Sequence, residues 1–228
     1  VIPFDVSDIG PLFVASFKNA NMVVADHKTK TFFQQATFES VIGELHPHTL
    51  TMLPFQQLTW REVKRLEPMP EVAHLTKQDL REFELPVPGA WRRIMASEAT
   101  PGLSSKNRDR TVPARTRVIG LLKPSSSPER AWLKSELLER GVVQVEPEVT
   151  LVAVSTVVNA FQNQIDGELV NLVLTPDHKL TDKQGTNTWD LRGKLIDGDL
   201  ADLTPVALSD EYWFSWKRFH PDTTLVRL

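Results

Sequence analysis

The chain repeats itself, and that constrains its fold more than any local pattern. Setting FDVSDIGPL (4–12) beside FQNQIDGEL (161–169) pairs Phe4 with Phe161, Gly10 with Gly167 and Leu12 with Leu169. VVADHKTKTFF then lies over KLTDKQGTNTW, placing Asp26 on Asp182 and Phe33 on Trp189. VIGEL lies over IDGDL, with Gly43 on Gly198 and Leu45 on Leu200. LTMLPFQQLTWREVKRLEP pairs without a gap with LTPVALSDEYWFSWKRFHP: Leu50 with Leu203, Trp60 with Trp213, Lys64 with Lys217, Arg65 with Arg218 and Pro68 with Pro221. Chance similarity does not keep order and spacing over such a stretch, so two copies of one unit are expected to bury the same bulky side chains.

Each copy reads as strands closed by a helix. Apolar runs at 12–15, 22–25, 151–154 and 169–174 predict strands, and RVIGLL after Thr116 a buried one. Asp166-Gly167 and Asp197-Gly198 suit hairpin turns. Closing helices are expected at 59–66, capped by Thr59, and at 210–219, capped by Asp210, with Pro68 and Pro221 stopping them. Trp213, Trp216 and Phe219 would share one face of the second.

Between the copies, Thr76 and Asp79 form a capping-box pattern that opens a short helix through Phe83. A proline-rich strip and the basic stretch LSSKNRDRTVPARTR read as an exposed linker. Farther on, Ser127 as N-cap, Pro128 at the first helical position and Gly141 as the stop predict a helix. The organisation expected is therefore a first unit over 1–75, a linker with short helices over 76–115 and a second unit over 116–228. The fold class is α+β, β-dominated. The strand and helix at 117–140 have no counterpart before Phe4, so the first copy has lost them or they lie upstream. The opening Val1-Ile2-Pro3-Phe4 fits a processed or truncated terminus.

Composition narrows the chemistry. A net charge of −3 gives no basic field to draw nucleic acid. With no Cys, disulfides, zinc–thiolate sites, iron–sulfur clusters and thiol nucleophiles are excluded within the chain. No apolar run approaches the roughly 20 residues needed to span a bilayer.

His46-Pro47-His48 offers two imidazoles without a third ligand, and reads as a loop. Asp177, His178 and Asp182 could pair for acid–base work. However, Asp182 is matched by Asp26 in a copy without the histidine, so accepting N–H bonds at a hairpin explains the repeated Asp better. Asp197, Asp199 and Asp202 depart from EF-hand spacing and read as a solvated turn. Lys106, Arg108, Arg110, Arg115 and Arg117 form a basic stretch that could meet an acidic partner or anionic headgroups, with a solvated linker as the simpler reading. No nucleophile elbow, P-loop, dinucleotide fingerprint or zincin motif is present. No catalytic, cofactor or metal residue is assigned.

Asp182-KQGTNT-Trp189, Asp197-Gly198 and YWFSWKRFHPDT (212–223) together resemble a bacterial family catalogued as domain of unknown function 3179. The first copy carries the variant Asp26-HKTKTF-Phe33 with Trp60. The resemblance implies an exported, periplasmic or extracytoplasmic protein. Members often carry a Cys-Pro-Leu-Cys-like strand end before the residue matching Phe161, where this chain has VAVSTVVNAF with Ser155. They also often carry a helix with a His-Glu pair followed by Asn-Asp, where LLERGVVQV offers Arg140, Gly141 and Gln144. The repeat signature is Asp26, Phe33, Gly43, Trp60, Asp182, Trp189, Gly198, Trp213, Trp216 and Pro221.

The function expected is a non-catalytic binding or scaffolding protein without cofactor, an exported subunit of a membrane-associated assembly with a protein partner. One alternative is a redox or metal-dependent enzyme with site residues upstream of residue 1. Another is a small-ligand or glycan-binding module using Trp91 or Trp132.

Overall fold

The computed structural model describes residues 4–53, 55–83, 89, 92, 93, 109–122 and 129–228. It is β-dominated, with four short helices among the described elements. A first antiparallel meander joins β1 (Leu12–Lys18), β2 (Asn21–Asp26), β3 (Phe32–Gln34) and β4 (Ser40–Ile42) in sequence order. A second joins β12 (Leu172–Leu174), β13 (Leu180–Asp182), β14 (Thr188–Trp189) and β15 (Leu195–Asp197).

Two more sheets are built from strands that lie between the meanders and, for β16 and β17, after the second. One orders β16 (Leu208–Tyr212), β5 (Arg117–Leu121), β6 (Arg130–Leu133) and β17 (Thr224–Val226); the other is β7 (Val142–Glu146), β8 (Val149–Val154) and β9 (Val157–Gln162). β8 is apolar without alternation because both its faces are covered. Leu151 and Ala153 pack with Trp132 and Leu137, whereas Val152 and Val154 pack with Phe161 and Trp189. A two-residue hairpin joins β10 (Gln164–Ile165) to β11 (Glu168–Leu169) through Asp166 and Gly167, both at positive φ, as the Asp-Gly pair predicts.

The helices are α1 (Trp60–Val63), α2 (Lys77–Phe83), α3 (Lys134–Arg140) and α4 (Trp213–Phe219). Among the described residues none is long and apolar enough to cross a membrane. The capping box at Thr76 and Asp79 forms as predicted, with Asp79 N donating to Thr76 Oγ1 at 3.1 Å and Thr76 N to Asp79 Oδ2 at 2.8 Å.

Four local predictions need correction. The apolar run 169–174 is not one strand: it is divided between β11, ending at Leu169, and β12, beginning at Leu172, in different sheets. α3 begins at Lys134, because Ala131, Trp132 and Leu133 are drawn into β6 and buried; Ser127 and Pro128 lie outside the described residues. Asp210 does not cap α4, whose N-cap is Tyr212; it sits in β16 and pairs with Arg117 at 2.5 Å and Lys134 at 2.6 Å. Asp197-Gly198 ends the second meander instead of turning a hairpin.

The two meanders share local details. Asp26 Oδ1 accepts from the Lys28 and Thr29 amides and Oδ2 from the Thr29 hydroxyl and Thr31 amide. Asp182 likewise accepts from the Thr186 amide and hydroxyl and from the Asn187 amide and side chain. Register slips between Phe32 and Phe33 in one and between Thr188 and Trp189 in the other. Phe33 and Trp189 are both fully buried. A Cβ on Gly43 would lie 2.4 Å from Thr31 Cα, and one on Gly198 2.3 Å from Asn187 Oδ1; both glycines have positive φ. Thr31 Oγ1 accepts from the Leu45 amide as Asn187 Oδ1 does from that of Leu200.

The meanders also differ. Leu12 stands opposite Asp26, and the residue opposite Asp182 is Leu172, not Leu169, so the first hairpin is longer. Trp60 is 54% exposed whereas Trp213 is 1% exposed, so these two do not occupy like environments. α1 is a single turn whose buried residue is Glu62, whereas α4 continues directly from β16 and is drawn against β5.

Candidate functional site

The most constrained polar cluster is centred on α1. Thr59 and Glu62 close a capping box: Thr59 N donates to Glu62 Oε2 at 2.9 Å, the Thr59 hydroxyl donates to the same oxygen, and Glu62 N donates to Thr59 Oγ1 at 3.4 Å. A capping glutamate is normally solvated, but this one is buried. Its other oxygen, Oε1, turns toward the C-terminal half, where the Ser155 hydroxyl donates to it at 2.6 Å and His178 Nδ1 lies 3.6 Å away.

Both partners are presented by tight turns. Ser155 (φ 56°) is in the two-residue turn between β8 and β9, and His178 (φ 62°) is in the turn between β12 and β13. A cleft of about 310 Å³ opens beside the cluster, lined also by Arg65, Lys179, Asp190 and Leu191.

Burial by itself would raise the Glu62 carboxyl, but the Ser155 and Thr59 hydrogen bonds and the nearby His178 outweigh it and hold the group below its ordinary value. Asp26 and Asp182 behave alike: burial opposes ionisation, and the hydroxyl, amide and side-chain donors around each hold both at about 2. A folded-state pKa below the unfolded value, about 3.9 for Asp and 4.3 for Glu, adds stability above that value, lost as protons bind. Thermal midpoints should therefore be flat down to about pH 5 and fall steadily toward pH 2. Asp26→Asn and Asp182→Asn should each shallow that fall, as circular dichroism melts would record.

The chemistry of the cluster follows from who donates to whom. A nucleophilic triad needs the hydroxyl bonded to the imidazole and the imidazole to the acid. Here the Ser155 hydroxyl is bonded to the acid, and His178 Nδ1 has no hydrogen-bond partner among the described residues. Glu62 is an acceptor whose oxygens are engaged by Thr59 and Ser155. Its geometry suits fastening α1 to the C-terminal half.

A further polar contact lies at α4. Ser215 on α4 donates to Glu211 Oε2 at 2.6 Å and lies 3.0 Å from Asn21 Oδ1, just past the tip of the β1–β2 hairpin. Thus the second meander's β-turn reaches α1, and the first meander's reaches α4.

A family model described as protein of unknown function, DUF3179, matches residues 10–223. The chain is a DUF3179 protein. Neither a curated protein nor a solved structure matches it.

In this DUF3179 protein the other sequence candidates are spread apart. His46 Nδ1 lies 3.0 Å from the Ser40 carbonyl, and His48 meets the Phe33 ring edge-on at 6.1 Å. Asp177 pairs with Lys179 at 3.0 Å, and Asp182 is closed within its own turn, so His178 meets neither the way acid–base pairing would require. Asp202 Oδ1 accepts from the Leu195 amide at 2.7 Å, and the Asp199 amide donates to Asn187 Oδ1 at 3.0 Å. Among the described residues no group of three His, Asp or Glu side chains could hold a metal. Lys106, Arg108 and Trp91 lie outside the described residues. Arg110 is exposed, and Arg115 and Arg117 lie over the Tyr212 ring at 5.6 and 5.1 Å. Trp132 is buried and cannot serve as an exposed ligand platform. Lys217 Nζ donates to the Pro221 carbonyl at 2.7 Å, tying that signature proline to α4.

Glu62 and Ser155 were missed by sequence reasoning as site residues. They are 93 positions apart and share no motif. The available signal was the repeat pairing that sets Trp60 on Trp213, because it also sets Glu62 on Ser215, the other buried polar residue of a closing helix.

Proposed function

We propose that the chain is a non-catalytic binding or scaffolding protein, an exported subunit of a membrane-associated assembly. One observation carries the reading: residues 67–78 are exposed throughout, yet they hold Met69, Val72 and Leu75, the first and last 56% and 53% exposed. Leu80 on α2 continues the exposed apolar series. An arm that leaves so much apolar surface in water is better suited to a protein partner than to solvent. The family resemblance supports export.

We also infer that the two halves descend from one duplicated unit that has since diverged. The paired carboxylate turns, the shared register slip, the close-approach glycines and the reciprocal turn-to-helix contacts support this. In that reading the halves clasp each other, and the duplication extends surface without adding chemistry.

The arm is testable in place. Extracted from its native membranes in mild detergent, the wild-type chain should migrate in a particle larger than one chain. Val72→Asp with Leu75→Asp should release it as a monomer with an unchanged melting temperature, since neither side chain is packed. A wild-type chain that already runs alone in the extract would overturn the proposal.

A further inference from the structure

We propose that a second cleft, between the β1–β2 hairpin tip and the β16–α4 corner, binds a neutral polyhydroxylated ligand, a single sugar ring. The cleft holds about 260 Å³, just under the roughly 300–1,000 Å³ of drug-sized sites, which suits about one ring.

The class of ligand follows from which groups are already engaged. Three charged side chains line the cleft, and all have internal partners. Arg117 pairs with Asp210 at 2.5 Å, and Asp210 also takes Lys134 at 2.6 Å. Glu211 accepts from the Ser209 and Ser215 hydroxyls, each at 2.6 Å. An ionic ligand would have to compete with these pairings, and weakening a partly desolvated pair is costly.

The groups without hydrogen-bond partners are uncharged. Among the described residues, the side-chain amides of Gln35 and Gln57 and the Tyr212 hydroxyl line the cleft and make no hydrogen bond. Each can both donate and accept, which matches hydroxyl groups. The backbone of Gln57 is itself fixed, its amide donating to Asn159 Oδ1 at 2.7 Å and its carbonyl accepting from Asn159 Nδ2 at 2.7 Å. Phe214, stacked on Tyr212 with centroids 6.0 Å apart and planes 16° from parallel, adds an apolar aromatic edge for the C–H side of a ring, while the Arg115 and Arg117 guanidiniums lie over the Tyr212 ring itself.

The test is titration of the whole chain by ligand-observed NMR with glucose, galactose, mannose and N-acetylglucosamine, and with glucose 6-phosphate as the charged counterpart. At least one neutral sugar should bind saturably, and the phosphate should bind at least about tenfold more weakly. Gln57→Ala and Tyr212→Phe should each weaken the neutral sugar about 2- to 12-fold, the worth of one neutral hydrogen bond, with the melting temperature unchanged. No saturable binding by any neutral sugar would overturn the proposal. So would equal binding of the phosphate, or variants that bind as tightly as wild type. The arm substitutions leave this cleft intact, so either proposal can fail alone.

Discussion

Trp189→Ala is expected to lower stability by about 3–5 kcal/mol. The indole is fully buried at the centre of the second meander, among Phe161, Leu180 and Leu203. Its Nε1–H donates to the Ala201 carbonyl at 2.9 Å, so truncation leaves an unpaired acceptor as well as a large cavity. For a chain of this length each kcal/mol moves the midpoint by about 2–4 °C, so a fall of roughly 6–20 °C should appear in a thermal melt. Phe33→Ala should cost a similar amount, because Phe33 is fully buried in the core of the first meander. Trp60→Ala should cost under about 0.5 kcal/mol, since that ring is mostly in water. Equal losses for Trp60 and Trp189 would contradict the packing described.

Gly120→Ala is expected to be nearly as damaging, at about 3 kcal/mol, although it adds one methyl group. A Cβ there would lie 2.2 Å from Trp216 Cη2 and 2.3 Å from Cζ2. The indole cannot swing aside. Its Nε1–H donates to Thr223 Oγ1 at 3.0 Å, and His220 stacks on it with centroids 3.8 Å apart. His220 is itself held by Glu129, 2.8 Å from Nδ1. Relief must therefore come from the ring. Adding Trp216→Phe to Gly120→Ala should recover part of the loss, making the pair less destabilised than the sum of the two single changes. Strict additivity in denaturant titrations would show that the ring is not the obstacle.

Much of the fold could be read locally. The apolar run 151–154 predicts a strand, found as β8, and Thr76 with Asp79 predicts the start of α2 at the right residue. The repeated Asp reads as an acceptor at a turn, which is what Asp26 and Asp182 are. Where local signals failed, tertiary packing had won. The helix expected from the Ser127-Pro128 signal starts only at Lys134, because burying Trp132 in β6 outweighs the helix propensity of that segment. Asp210 looks like an N-cap because its carboxylate is well placed for one, yet two cations from distant strands claim it. The site was less legible still. Glu62 satisfies a local capping pattern, and nothing nearby in sequence signals that its second oxygen serves Ser155 across the molecule.

That Glu62 fastens the two halves, rather than acting as an acid or base, is best tested by a double-mutant cycle. Glu62→Gln, Ser155→Ala and the pair together would be compared by urea unfolding at pH 7. A coupling energy of about 1 kcal/mol or more is predicted, because the two groups share a short, partly buried hydrogen bond to a buried carboxylate. Effects that add to within about 0.3 kcal/mol would mean the halves are held together by something else.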